Sequence, residues 1–175
     1  EELFELIEKY SVDTNEGCGL DAISVKDTGS AGELVGTSRA IRNVLKLVAT
    51  AAPTDSTVLV TGASGTGKEL IAKLIHKHSS RADKPFVAIN CASIPAGLLE
   101  SELFGHSKGA FSGAVNDKIG RFQGADEGTL FLDEISEMPY ELQAKLLRFL
   151  QDGYIEKLGE INPVKTDVRI VAATN

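Results

Sequence analysis

The part of the sequence with the clearest chemical potential is a glycine-rich segment with one lysine. It reads Gly62-Ala63-Ser64-Gly65-Thr66-Gly67-Lys68-Glu69. The glycines allow a tight turn that aims several backbone N–H groups at one point, and Lys68 adds a full positive charge there. The segment fits the phosphate-binding pattern G-x-x-x-x-G-K, although Glu69 stands where Ser or Thr is expected. We therefore predict a site for a polyanion, most simply a nucleoside triphosphate, at residues 62–69.

A second chemical signal is an acidic pair, Asp133 and Glu134, which follows the hydrophobic residues 129–132. A strand that ends there would place both carboxylates at the carboxyl edge of a sheet, where open α/β sheets bind ligands. We predict that Asp133 holds Mg²⁺, directly or through water, and that Glu134 orients and polarises the attacking water. The alternative is that both acids merely cap the helix that follows. Glu69 could turn outward and leave the metal to phosphate oxygens, Asp133 and water.

Strands and helices alternate around these residues. The sequence predicts strands at residues 57–61, 86–90, 128–132 and 168–172, and helices at residues 3–10, 39–52, 70–78, 97–104 and 140–151. Such alternation predicts an α/β fold in three layers, a parallel sheet with helices on both faces. Glycines and small polar residues indicate an N-terminal helix and linker at 1–32, the domain proper at 33–175 and an exposed loop at 105–124.

Composition excludes several classes of protein. The chain has 175 residues, of which 42% are hydrophobic, enough for one domain with a sizeable core. Its net charge of −7 argues against non-specific DNA binding by this segment. No apolar stretch reaches the ~20 residues of a membrane span, and the first residues show no signal-peptide character. Two distant cysteines, Cys18 and Cys91, and three scattered histidines indicate neither a disulfide framework nor a metal site, and favour a reducing cytoplasm.

Two further segments carry a family resemblance. They read Glu100-Ser101-Glu102-Leu103-Phe104-Gly105-His106 and Gly109-Ala110-Phe111-Ser112-Gly113-Ala114. From about residue 34 to 175 the sequence resembles the central AAA+ domain of NtrC-type enhancer-binding proteins, the bacterial activators of sigma-54 RNA polymerase. The family has GAFTGA where this chain has GAFSGA, and its phosphate loop usually reads GESGTGKE. Glu69 is therefore normal for the family, whereas Ala63 and Ser112 depart from it.

The resemblance implies a P-loop NTPase fold of the AAA+ type and a nucleotide site. Residues 62–69 would be the Walker A loop, with Lys68 on the β- and γ-phosphates of ATP. Asp133 and Glu134 would be the Walker B pair that works with Mg²⁺. Val35 and Gly36 match the family segment that would line the adenine pocket.

Supporting residues are implied in the same way. Asn90 matches the family's asparagine that holds the catalytic glutamate back until a partner engages, although an Asn at a strand end could also be a plain backbone cap. Asn175 matches the sensor I position, which would sense the γ-phosphate.

The segment GAFSGA, residues 109–114, is the implied partner contact. Phe111 stands among small residues, and the sequence pattern alone fits a buried anchor as well as an exposed contact. The resemblance implies that Phe111 touches the sigma factor and that residues 153–165 form a second loop that moves with the first. Ser112 keeps the hydroxyl of the family's Thr and loses one methyl, which leaves its effect on sigma-54 coupling open.

The implied protein is a sigma-54-dependent transcriptional activator, an ATPase that forms a hexameric or heptameric ring and remodels the polymerase to open promoters. The family's arginine fingers, helical lid and DNA-binding domain would lie beyond Asn175, so we expect the 175 residues alone to hydrolyse ATP poorly. Two alternatives stay open. One is a nucleotide-sensing module without productive hydrolysis, and the other is a different AAA+ remodeller.

Overall fold

The computed structural model describes residues 39–175. The predicted N-terminal helix, the linker, Val35 and Gly36 lie outside these described residues. The elements in chain order are α1 (Arg39–Ala51), β1 (Val58–Thr61), α2 (Lys68–Lys77), β2 (Phe86–Asn90), α3 (Ala96–Phe104), β3 (Gly105–His106), β4 (Lys118–Ile119), α4 (Arg121–Gly124), β5 (Thr129–Asp133), α5 (Tyr140–Asp152), β6 (Tyr154–Ile155), β7 (Val164–Lys165) and β8 (Arg169–Thr174).

The four predicted strands form one parallel sheet in the order β1-β8-β5-β2. All six residues of β8 are buried, as expected for a central strand covered on both faces. The register pairs Asn90 at the end of β2 with Asp133 at the end of β5. Parallel pairing therefore brings the carboxyl ends of all four strands to one edge, and the predicted site residues to that edge with them.

Alternate residues of the central strands pack into two separate cores. Phe131, Val171 and Ala173 face one core, which α1 and α2 cover with residues such as Val48 and Ile75. Their neighbours along the strands face the other core, which residues of α3, α4 and α5 cover; these neighbours are Leu130, Leu132, Ile170 and Ala172. Because side chains alternate along a strand, each strand supplies both cores. The predicted three-layer α/β fold is thereby confirmed.

The prediction of an exposed loop over residues 105–124 was wrong in part. The segment contains the antiparallel pair β3–β4 and the short helix α4, and Phe122 is fully buried against Phe104 with ring centroids 5.2 Å apart. Gly105 allows β3 and β4 to approach each other closely, because a Cβ at this position would lie 2.5 Å from the Lys118 carbonyl oxygen. Gly105 also has a φ of 81°, which favours glycine. The buried residues of the segment therefore alternate with exposed ones, and most of the exposed residues lie at 108–117.

One histidine belongs to the core rather than to the site. His76 is buried, its Nδ1 lies 2.9 Å from the Thr129 hydroxyl, and its ring contacts Phe86. Burial lowers the pKa of His76 most, the charge of Arg169 lowers it further, and a hydrogen bond with the Lys84 backbone opposes both. The neutral imidazole is therefore the form that the folded chain favours.

The free energy of unfolding is expected to fall as the pH drops below about 6.5, the ordinary histidine pKa. Below that pH the unfolded chain binds a proton at His76 more readily than the folded chain does, so acid favours unfolding until the lower folded pKa is reached. Urea unfolding at about pH 7.5 and 5.5 measures this dependence. His76→Gln should reduce the difference between the two conditions, whereas His78→Gln should leave it unchanged. An equal pH dependence in all three proteins would contradict the assignment.

Candidate functional site

The glycine-rich loop at residues 62–69 leads from β1 into α2, as a phosphate-binding loop requires. Its start is tied to the central strand by the Gly62 N–H, which donates to the Thr174 carbonyl at 3.2 Å. Gly65 and Gly67 have φ angles of 78° and 89°, a region that side chains with a Cβ rarely adopt. Glycine at these two positions thus sets the tight turn that carries the chain into α2.

Lys68 bends back into this loop and is buried there. Its Nζ donates to the carbonyl oxygens of Gly62 at 2.7 Å and Ala63 at 3.2 Å, and to Asn175 Oδ1 at 3.2 Å. Phosphate oxygens are stronger hydrogen-bond acceptors than carbonyl oxygens, so a bound phosphate would compete for the Lys68 ammonium group. Ala63, the departure from the family pattern, contributes its carbonyl while its side chain is exposed. The loop geometry at this position thus rests on the backbone, which any residue supplies.

Glu69 lies on the exposed side of α2. Its carboxylate pairs with Lys73 at 2.7 Å, one helical turn away, and 54% of the side chain is exposed. Such surface pairs contribute only about 0.3–0.5 kcal/mol, so the pair orients Glu69 without fixing it strongly. With its charge directed along the helix, Glu69 does not enter the loop beside Lys68. Thr66 is also engaged inside the loop, where its hydroxyl donates to the Ala63 carbonyl at 2.8 Å.

The acidic pair lies at the end of β5. Asp133 Oδ1 accepts a hydrogen bond from the Glu134 N–H at 3.0 Å, and Oδ2 accepts one from the Asn90 amide at 3.3 Å. Glu134 has left-handed backbone angles, φ 51° and ψ 49°, and its side chain makes no capping hydrogen bond. Helix α5 begins only at Tyr140, and the short 3-10 turn Ile135–Glu137 that directly follows has Glu134 at its N-cap without a side-chain capping bond. Left-handed angles are uncommon for a residue other than glycine, and Glu127 is the other such residue in the described part of the chain.

Asn90 makes two sets of hydrogen bonds. Its Oδ1 accepts from the backbone N–H groups of Ala92 at 2.9 Å and Ser93 at 3.0 Å, so it caps the turn that follows β2. Its Nδ2 donates to Asp133, the neighbour of the predicted catalytic glutamate. The backbone-cap interpretation describes one side of the amide, and the other side reaches the acidic pair. Restraint of Glu134 itself stays a prediction.

Two carboxylates, Asp133 and Glu134, lie side by side at this edge. Burial raises the pKa of the Cys91 thiol to about 11, and the charges of Asp133 and Glu134 add to that rise. Residues 39–175 contain no group of three or more His, Cys, Asp or Glu side chains that could hold a metal alone. Mg²⁺ needs none, since it is usually held by one or two carboxylates together with substrate phosphates and water. The carboxylate oxygens at this edge therefore fit Mg²⁺ bound together with a triphosphate.

The GAFSGA loop, residues 109–114, closes on itself above β3 and β4. The Gly109 N–H donates to the Ala114 carbonyl at 2.8 Å, and the Ala114 N–H donates to the Phe111 carbonyl at 3.0 Å. Ala114 is buried, whereas Phe111 keeps 39% of its surface exposed. The remaining members of the loop, Ala110, Ser112 and Gly113, are half-buried or exposed. The loop thus presents one large apolar side chain among small residues.

A second loop, residues 153–165 with β6 and β7, lies against the base of the GAFSGA loop. The Ser107 hydroxyl donates to Glu160 at 2.6 Å, and the Ser107 N–H donates to the Leu158 carbonyl at 3.0 Å. The Leu158 N–H donates in turn to the Gly105 carbonyl at 3.1 Å. These contacts join the two loops through both backbone and side chains. Ser107 and Glu160 could not be predicted from the sequence, because two polar residues far apart in the chain form no recognisable pattern.

Comparison with known proteins agrees with this geometry. The model of the family described as "Sigma-54 interaction domain" matches residues 34–175. The chain belongs to the sigma-54 interaction domain family. The matched range includes Val35 and Gly36, whose predicted place in the adenine pocket lies outside the described residues. The resemblance to NtrC-type activators is thereby confirmed.

Relatives of this sigma-54 interaction domain include named transcription factors. It is 58% identical over 144 residues to the "DNA-binding transcriptional activator HyfR" of Escherichia coli K12, covering 82% of this chain and 22% of that protein. It is 55% identical over 152 residues to the "DNA-binding transcriptional regulator NtrC" of Azospirillum brasilense, covering 85% and 32%. The chain therefore spans about a fifth to a third of the length of these relatives.

The crystal structure of one relative is described as a complex with a nucleotide. NtrX from Brucella abortus, in a crystal structure described as a complex with ATP, has a TM-score of 0.73 and 45% identity, covering 82% of this chain and 32% of that one. This likeness supports the P-loop NTPase fold of the sigma-54 interaction domain. No helix within residues 39–175 is long and apolar enough to cross a membrane.

Proposed function

We propose that this domain binds Mg-ATP at residues 62–69 and hydrolyses it within a sigma-54-dependent transcriptional activator. The observation that carries the proposal is the meeting of Lys68, Asn175, Asp133 and Asn90 at one sheet edge, through hydrogen bonds from Lys68 to Asn175 and from Asn90 to Asp133. The glycine-rich loop, the acidic pair and the two asparagines lie at the ends of four neighbouring parallel strands. Ligands of open α/β sheets bind at such an edge.

Each residue at the edge has a chemical role in the proposal. Lys68 leaves the carbonyls of Gly62 and Ala63 and donates to the β- and γ-phosphates, while the loop N–H groups take further phosphate oxygens. Asn175 stays beside Lys68 and senses the γ-phosphate. Mg²⁺, held by Asp133 directly or through water, supplies neutralisation of phosphate charge.

Glu134 acts on the water that attacks the γ-phosphate. Its carboxylate orients the water and accepts its proton, so that the new P–O bond forms as the bond to the ADP oxygen breaks. Glu134 has left-handed backbone angles directly after β5, and its side chain makes no capping hydrogen bond. Asn90, bonded to Asp133, lies one strand away and links this pair to β2.

In this proposal, the GAFSGA loop couples ATP hydrolysis to remodelling of the partner. We assign the contact with the sigma factor to Phe111, with Gly109, Ala110, Ser112, Gly113 and Ala114 shaping the loop around it. A half-exposed aromatic side chain on a small-residue loop has the character of an interface hot spot. The bonds of Ser107 to Glu160 and Leu158 make the second loop move with the first.

The rest of the activator is inferred from its relatives. HyfR and NtrC are named as DNA-binding proteins, and we propose DNA binding for a region of this protein outside the 175 residues, whose net charge of −7 does not favour it. Self-assembly into a hexameric or heptameric ring, in which ATP lies between subunits, completes the proposal. Its place of action is the bacterial cytoplasm, where RNA polymerase meets DNA.

Retention of sigma-54 tests the proposal against another AAA+ remodeller. Full-length protein on a resin should retain purified sigma-54 in the presence of a transition-state analogue of ATP hydrolysis, and should retain little sigma-54 without nucleotide. A sigma factor of a different class serves as the control, because it lacks the surface that the GAFSGA loop would contact. Equal retention of both factors, or of neither, would show that sigma-54 is not the partner.

A further inference from the structure

His106 lies directly beside the aromatic residue of the GAFSGA loop. The ring centroids of His106 and Phe111 are 5.0 Å apart with an interplanar angle of 68°, an edge-to-face contact. On its other side, His106 Nδ1 lies 2.7 Å from the hydroxyl of Ser101, a residue of α3 that is only 5% exposed. One imidazole therefore contacts a buried hydroxyl of the body and the exposed aromatic tip at once.

The backbone around His106 is held on both sides. As part of β3, His106 pairs with Lys118 of β4, and it also forms a bridge with Leu158 of the second loop. The preceding Gly105 approaches Gly120 so closely that a Cβ would lie 2.8 Å from the Gly120 nitrogen. His106 thus stands on a fixed base where both loops leave the body of the domain.

The GAFSGA loop itself has glycines with left-handed angles at both ends. Gly109 has a φ of 83° and Gly113 a φ of 110°, and a Cβ at either would meet nothing within 4 Å. Left-handed angles of this kind favour glycine, so these two positions set the turns on either side of Phe111. Phe111 therefore lies on an exposed loop, whereas His106 belongs to strand β3.

We propose that His106 is a positioning residue for Phe111. Its imidazole, oriented by Ser101, holds Phe111 half-covered and so limits its availability to a partner. An edge-to-face aromatic pair shifts the balance between held and released forms by about 2- to 10-fold. That the partner is sigma-54 rests on the proposed function, whereas the restraint on Phe111 does not.

A tryptophan reporter tests the restraint directly. The 175-residue sequence contains no tryptophan, so Phe111→Trp places a single indole at the contact. We expect iodide to quench this indole at least about twofold more efficiently when His106→Ala is added. His106→Phe should restore most of the protection, because it keeps a ring at the contact. Ser101→Ala should give an intermediate increase, and His78→Ala, which removes an imidazole elsewhere, should give none.

The outcome that overturns the inference is quenching in the His106→Ala protein equal to that of the Phe111→Trp parent. An equal increase for His106→Ala and His106→Phe would overturn it as well, since loss of folding or packing would affect both alike. Circular dichroism melts of each variant measure folding separately. His106→Ala must keep the melting transition of the parent for its quenching to count.

A binding measurement separates this inference from the proposed function. In the full-length protein with native Phe111, His106→Ala should raise the affinity for sigma-54 without nucleotide by about 2- to 10-fold. If Phe111→Ala leaves sigma-54 binding unchanged, the proposed function fails while the quenching result still decides the restraint. If Phe111→Ala abolishes binding but His106→Ala behaves as the parent in both measurements, only the restraint fails.

Discussion

Glu134→Gln in the full-length protein is expected to lower the turnover number for ATP by about 10²–10⁴-fold, and to leave ATP affinity within about threefold. The amide keeps the size of the carboxylate but cannot accept a proton from the attacking water. Lys68, the loop N–H groups and Asp133 remain in place, so nucleotide should still bind. Steady-state phosphate release and equilibrium binding of a labelled ATP analogue measure the two quantities.

Glu137→Gln is the matched control for this prediction. Glu137 ends the same short turn, Ile135–Glu137, and is exposed to solvent, so its amide variant should hydrolyse ATP at close to the normal rate. Normal turnover in Glu134→Gln would remove Glu134 from the catalytic role. Native protein that binds ATP but shows no turnover above Lys68→Ala would favour a nucleotide-sensing module instead.

Phe111→Ala in the full-length protein is expected to reduce open-complex formation on a sigma-54 promoter by about 30-fold or more, with ATP turnover within about twofold of normal. Loss of an interface hot spot costs about 2 kcal/mol or more. The Phe111 side chain is apolar and lies in the GAFSGA loop rather than at the nucleotide site, so ATP turnover should persist without it. Permanganate footprinting of the promoter and phosphate release in the same reaction measure the two effects together.

An exposed aromatic residue away from the loop provides the control. Tyr140 begins α5 and is 84% exposed, so Tyr140→Ala removes a comparable ring without touching the GAFSGA loop. Open complexes at a normal level in Phe111→Ala would contradict the assigned coupling. A parallel loss of ATP turnover would show instead that Phe111 supports the nucleotide site.

The parts of the fold that follow local rules could be predicted from sequence. The strands β1, β5 and β8 are β-branched or apolar runs between turns, and their alternation with amphipathic helices leaves few topologies other than a parallel sheet. The loop at 62–69 was predictable because glycine spacing, a lysine and flanking elements agree at one place. Asp133 and Glu134 were predictable because polar residues directly after a buried strand must lie at the sheet edge.

Other features depend on contacts between residues far apart in the chain. Phe122 is buried because α3 and α5 enclose it, and a glycine-rich neighbourhood conceals that in the sequence. The bond from Lys68 to Asn175 and the bond from Asn90 to Asp133 depend on which strands become neighbours in the sheet. The bond between Ser107 and Glu160 joins two loops whose residue types fit almost any exposed surface.

We propose that hydrolysis at the Lys68–Glu134 edge drives the Phe111 loop against sigma-54. This is measured most directly by open-complex formation with full-length protein, sigma-54 polymerase and promoter DNA, with ATP compared with a non-hydrolysable ATP analogue. We expect open complexes with ATP and essentially none with the analogue, although both nucleotides bind. Equal levels of open complex with the two nucleotides, or with no nucleotide, would contradict it.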